Sequence, residues 1–131
     1  MIQCKRVYEP WDERDGQRVL VDRLWPRGCR KEALGLAFWQ KAVAPSDALR
    51  RDFCHDPERF DEFRLRYRGE LAAHPAHWQG LLQMAREGTL TLLYAARDEQ
   101  ANNARVLAEF LEEELDREGP SSSPVCYAGE V

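Results

Sequence analysis

The chain has 131 residues, 44% of them hydrophobic and 32% charged, with a mean hydropathy of -0.64. One folded domain with a single core fits that length, and the composition excludes a disordered or fibrous chain; no apolar run approaches the roughly 20 residues of a membrane span. The formal net charge of -4, from 19 basic and 23 acidic residues, argues against a globally basic nucleic-acid binder.

In chain order, residues 2–8 (IQCKRVY) and 18–24 (RVLVDRL) are short runs rich in Val, Leu and Tyr with partial alternation, and both read as strands. Asp15-Gly16 between them is a turn signal. The link over 9–17 is shorter than the dozen or so residues of an ordinary parallel crossover, so the direction of the first strand relative to the second stays open, an antiparallel pair included. Short helical turns are expected over 36–43 and 46–53, the second capped by Ser46. Asp56 as N-cap, Pro57 at the first helical position, and Phe60, Phe63, Tyr67 and Leu71 at spacings of three, four and four predict a helix over 57–73. Pro75 opens another, with Trp78, Leu81, Leu82 and Ala85 as its apolar stripe and Gly88 as its end.

Residues 89–95 (TLTLLYA) are nearly all apolar in their second half, as expected of a strand covered on both faces. Beyond them Asp98 can cap a helix carrying Ala101, Ala104, Leu107, Ala108, Leu111 and Leu115, which ends near Gly119-Pro120. The remaining residues, 119–131, read as a C-terminal tail. Helices between strands predict a single small α/β domain over 1–118, with a mostly parallel sheet of three to four strands and helices packed on its faces. The second and third predicted strands are more than sixty residues apart and should be joined by a parallel right-handed crossover.

Cys4, Cys29, Cys54 and Cys126 show no C-x-x-C spacing, which speaks against a zinc ribbon or a dithiol site and in favour of free thiols. His74 and His77, combined with Cys54 and His55, assemble no recognisable ligand spacing, so no metal is expected. Nor is any cofactor: Walker, G-x-G-x-x-G and G-x-S-x-G patterns are absent. The first residues hold no apolar stretch followed by a small-residue cleavage site, which makes the cytoplasm the expected location.

Of the 19 basic residues 16 are Arg, but isoleucine occurs once, at Ile2, and a GC-rich coding bias accounts for both counts. Position therefore carries the argument. In open α/β sheets ligands bind beyond the carboxyl ends of parallel strands. Two segments sit there: Asp22-Arg23-Leu24-Trp25-Pro26-Arg27-Gly28, and Tyr94-Ala95-Ala96-Arg97-Asp98 with Asn102 and Asn103 one turn into the following helix. Arg23, Trp25, Arg27, Tyr94, Arg97, Asn102 and Asn103 are the candidate ligand-binding residues, because guanidinium groups near a helix N-terminus suit an anion. Asp22, Asp98 and His55 are the candidate catalytic residues. Each also has a plainer role: Asp98 as an N-cap, Arg97 paired with Glu99, Asp22 and Arg23 as mutual partners, Trp25 and Tyr94 as core aromatics, His55 as a loop histidine.

Four ordered stretches then carry a resemblance: VDRLWPRG (21–28), the segment from Leu36 to Ser46, HDPERFDEFRLRYRGEL (55–71) and TLLYAARDEQANNARVL (91–107). Together they resemble the domain of unknown function 488 family, in its short YeaO-like branch, over residues 2 to about 115. The resemblance implies a compact cytoplasmic α/β sandwich and supplies no reaction. In longer members an Asp and Arg followed by a Pro correspond to Asp22, Arg23 and Pro26, and a Cys tends to stand where this chain has Tyr94, so no cysteine chemistry carries over.

The expected ligand is an anionic small molecule, such as a phosphate-bearing nucleotide or metabolite, with catalysis or plain binding both open. Membrane partners are not expected. Nucleic-acid contact through Arg59, Arg64, Arg66 and Arg68, with Trp25 for stacking, is the weakest reading, since those arginines alternate with Glu58, Asp61, Glu62 and Glu70 as on a solvated helix face.

Overall fold

The computed structural model describes residues 1–54 and 56–118. Strands β1 (Ile2–Arg6), β2 (Gln17–Leu20), β3 (Phe38–Trp39) and β4 (Leu90–Tyr94) form one parallel sheet in the order β1-β4-β2-β3. The central place of β4 accounts for its composition, because every one of its residues is buried. Its single polar residue is satisfied there: the Thr91 hydroxyl donates to the Asp15 carbonyl at 2.7 Å and accepts from the Gln3 amide at 2.8 Å.

The open direction of the first strand is now fixed. β1 and β2 both run parallel to β4 and never touch, since β4 lies between them. The link over 7–16 must return along about 17 Å of strand and cross about 10 Å of sheet. Its ten residues reach about 33 Å when extended, so no helix is needed. The link closes on a 3-10 turn, Glu13–Asp15, where the Asp12 carboxylate accepts the Arg14 N–H and the Asp15 carboxylate accepts the Asp12 N–H. Gly16 follows at φ +63°, where a Cβ would stand 2.3 Å from the Thr89 carbonyl oxygen.

Helices α2 (Asp47–Phe53), α3 (Phe60–Ala73), α4 (Gln79–Glu87) and α5 (Asn103–Glu118) cover one face of the sheet. Leu49, Phe63, Tyr67, Leu81, Leu107 and Leu111 pack there against Val19, Leu90 and Leu92, each large side chain contributing roughly 1.5–3 kcal/mol by burial. The Tyr67 hydroxyl, buried in this core, donates to the Val43 carbonyl at 2.6 Å. The opposite face is thinner. A single helical turn, α1 (Lys31–Leu34), and the loops around it place Leu34, Trp25, Cys29, Leu36 and Trp39 over Leu20 and Leu93.

One charged side chain is also sealed under that thin layer. Arg18 is 1% exposed; its Nη1 donates to Asp15 Oδ2 at 2.5 Å and its Nε to the Leu34 carbonyl at 2.7 Å. Its Nη2 meets no hydrogen-bond partner among the described residues. Asp15 also takes Lys5 Nζ at 3.0 Å and Gln3 Nε2 at 3.1 Å. Burial works to raise the Asp15 pKa, but the hydrogen bonds from Lys5, Arg18 and the Asp12 N–H outweigh it and bring the carboxyl below its ordinary value.

Several elements depart from the sequence reading. The expected helix over 36–43 is instead β3 followed by a 3-10 turn, Lys41–Val43, because the Ala37 and Gln40 N–H groups donate to the Arg18 and Leu20 carbonyls of β2. The second strand ends at Leu20 rather than residue 24. Asp98 does not cap α5: its carboxylate accepts the N–H groups of Gln100 and Ala101 in a separate turn, while Asn102 Oδ1 takes the Arg105 N–H at the helix start. The helix over 46–53, with Ser46 accepting the Leu49 N–H, and the long helices match their expectations. No helix among the described residues is long and apolar enough to cross a membrane. The tail reading of 119–131 and the catalytic reading of His55 lie outside the described residues.

Candidate functional site

The sheet ends in a side-chain rung. Val21 N–H donates to the Leu93 carbonyl at 3.1 Å, the last backbone bond from β2 to β4. One residue later the Asp22 carboxylate takes over: Oδ2 accepts the Ala95 N–H at 2.9 Å and Oδ1 accepts the Asn103 side-chain amide at 3.0 Å. The Asp22 carbonyl accepts the Trp39 indole N–H at 2.7 Å. Asp22 thus ties together the chain beyond β2 and β4, the last residue of β3 and the start of α5.

Beyond this edge opens a cleft of about 940 Å³, close to the upper end of the range of small-molecule pockets. Asp22, Arg23, Trp25, Arg27, Arg97, Asp98, Asn102 and Asn103 all line it. The parallel order explains their meeting, since the ends of β2 and β4 leave the same edge. Tyr94 does not join them; its side chain points to the helical face and lies in the core, where burial raises its pKa.

The plainer roles sort differently from expectation. Asp22 and Arg23 are not partners: Arg23 reaches the Ala44 and Pro45 carbonyls at 3.3–3.4 Å and lies 3.6 Å from Asp47. Trp25 donates its indole N–H to the Cys29 carbonyl and meets Trp39 edge-on at 5.3 Å. Asn102 is buried, with Oδ1 on Arg105 and Nδ2 on the Asp98 carbonyl, so its side chain serves the helix start. Backbone N–H groups of Ala101 and Gln100 hold the Asp98 carboxyl below its ordinary pKa.

Arg97 has no carboxylate beside it: neither it, Arg27 nor Arg51, all on the lining, makes a side-chain hydrogen bond or ion pair among the described residues. Arg51, with its neighbour Arg50, comes from the last turn of α2 and was not legible as a site residue, because basic residues in that position ordinarily answer the helix dipole. Tyr8 and Leu24 also line the cleft. Tyr8 could have been found only from the strand order that sets the end of β1 beside Ala95.

By contrast, the arginines of α3 are matched with carboxylates. Arg64 pairs with Glu109 at 2.7 Å, Arg66 with Asp52 at 2.8 Å, and Arg68 with Glu113. They clamp α3 to its neighbours instead of presenting free charge. Among the described residues no group of three or more His, Cys, Asp or Glu is placed to hold a metal.

The model of a family described as the inactive DUF488-N3 subclade matches residues 1–128. The chain belongs to the DUF488 family. Two of its DUF488 relatives are the protein named "Uncharacterized protein YeaO" of Escherichia coli (strain K12) and that named "Uncharacterized protein Rv3073c" of Mycobacterium tuberculosis (strain H37Rv). The first is 46% identical over 110 residues, which cover 84% of this chain and 96% of YeaO. The second is 44% identical over 110 residues, covering 84% of this chain and 92% of its own. No solved structure matches this DUF488 chain.

Proposed function

We propose that this protein binds a phosphate-bearing or otherwise anionic small molecule in the cleft beyond β2 and β4, and that it does so without turning it over. The observation that carries the reading is the trio Arg27, Arg51 and Arg97, three guanidinium groups on one lining with no carboxylate paired to them among the described residues. Guanidinium forks match phosphate oxygens in two-point contacts, and an anion there offsets their mutual repulsion.

Binding without chemistry is favoured by what the acidic groups are doing. Both Asp22 oxygens accept hydrogen bonds that hold the sheet edge together, and two backbone N–H groups hold the Asp98 carboxyl below its ordinary pKa, which makes Asp98 a weak base. The description of the matched subclade as inactive agrees with that reading. The cysteines described, Cys4, Cys29 and Cys54, are free thiols, which supports a reducing compartment such as the cytoplasm.

Titration calorimetry with inorganic phosphate and pyrophosphate tests the proposal, with Arg97→Ala as the variant. Arg97 is exposed and has no side-chain partner among the described residues, so the substitution should leave the melting temperature unchanged and weaken anion binding by about tenfold or more. Equal affinity in wild type and variant, or no binding by either, would retire the site.

A further inference from the structure

Resting on the anion-binding reading of the same cleft, we infer that its ligand is a nucleoside di- or triphosphate, held by its phosphates on Arg27, Arg51 and Arg97 and by its base on Tyr8 and Leu24. Two independent features of the lining point to this class.

The first is the amount of charge. Five arginines line the cleft, Arg23, Arg27, Arg50, Arg51 and Arg97, against the carboxylates of Asp22 and Asp98. Asp47, just outside, holds Arg50 at 2.9 Å and lies 3.6 Å from Arg23, which leaves three guanidiniums of this lining without a carboxylate partner among the described residues. A single phosphate monoester brings at most about two negative charges. Three cations contributed by three separate segments call for a longer anion with more than one phosphoryl group.

The second is an apolar shelf on the same lining. Tyr8 is 49% exposed and Leu24 63% exposed, and both of these exposed hydrophobic side chains face the same cleft. The Tyr8 ring is also held in place: its hydroxyl donates to the Arg27 carbonyl at 3.1 Å, and the Arg6 guanidinium packs against the ring 5.0 Å from its centre. Arg6 is itself anchored by bonds to the Ala95 and Ala96 carbonyls. A ring backed by a fixed cation, beside the main chain of Arg27, is a platform for a flat aromatic group attached to phosphates.

The test is titration calorimetry of the full chain with ADP, GDP, CDP, UDP, the corresponding monophosphates and pyrophosphate, repeated on Tyr8→Ala. At least one nucleoside diphosphate should bind about tenfold more tightly than both pyrophosphate and its own monophosphate. Tyr8→Ala should lower that affinity by at least about fivefold and leave pyrophosphate within about twofold, as loss of one stacking contact requires. Should Tyr8→Ala fail to fold, Leu24→Thr at the more exposed position makes the same comparison. If pyrophosphate matches all four diphosphates, or if the substitution weakens both ligands alike, the nucleoside assignment is wrong while anion binding stands. If no phosphate compound binds at all, both fall together.

Discussion

Removing the Asp15 carboxylate should be far more damaging than removing its buried arginine. In Asp15→Ala the Arg18 guanidinium stays sealed beneath the loops, where among the described residues only the Leu34 carbonyl receives it and its Nη2 already lacks a partner. An uncompensated buried charge of that kind costs about 3–5 kcal/mol. Arg18→Met is different. It replaces the guanidinium with an apolar side chain of similar reach, while Asp15 keeps Lys5, Gln3 and the Asp12 N–H, so a cost of about 1–2 kcal/mol is expected. Urea unfolding followed by circular dichroism measures both, and Asp15→Ala should also lower the melting temperature by about 10–20 °C. Adding Arg18→Met to Asp15→Ala should restore part of the lost stability, because the orphaned charge is gone. If Asp15→Ala costs under about 1 kcal/mol, or if Arg18→Met destabilises the Asp15→Ala background as much as the wild type, the buried-charge reasoning is refuted.

The same carboxylate sets an acid dependence. Its folded pKa is depressed, so its contribution is fully present above the unfolded value of about 3.9 and is lost as pH falls through the lower folded value; the urea midpoint of wild type should therefore drop below about pH 4, and Asp15→Ala should show a flatter profile. Asp22→Ala strips an acceptor from the Ala95 N–H and the Asn103 amide and should cost about 2–3 kcal/mol, with faster hydrogen exchange at the Ala95 amide as the local readout. Gly16→Ala drives a methyl into the Thr89 carbonyl at a left-handed position and should cost more than about 2 kcal/mol, whereas Gly28→Ala, at φ +73° with open space around it, should cost only about 1 kcal/mol in the same denaturation experiment.

What could be read from the sequence was local. The apolar run of β4, the cap at Ser46, and the stripe Phe63, Tyr67 and Leu71 each specify their element through neighbours a few residues away. The strand order could not be read so, because pairing β1 with β4 joins Ile2 to Leu90. β3 escaped for a related reason: two residues carry no periodicity, and their strand identity comes from the β2 groups they bond. Around the cleft, the residues from the ends of β2 and β4 were legible because chain position names strand ends. Asn102 stands in the place expected of Asp98 because either side chain can accept an N–H of a first helical turn, and α5 starts at Asn103, after the separate turn that Asp98 closes. Tyr94 was misplaced by side-chain alternation, which turns it to the same face as Leu90 and Leu92.

The position of β4 within the sheet also dictates a timetable for synthesis. β1 leaves the ribosome first, yet the strand it must pair with begins at Leu90, more than eighty residues later. At ordinary elongation rates of about 5–20 residues per second, β1 waits roughly 4–17 s without a partner. During that interval the segment Ile2-Gln3-Cys4-Lys5-Arg6 has unpaired backbone on both edges and a thiol in the open. The two adjacent cations at its end make strand-to-strand pairing between nascent chains repulsive, and so guard the segment until β4 arrives.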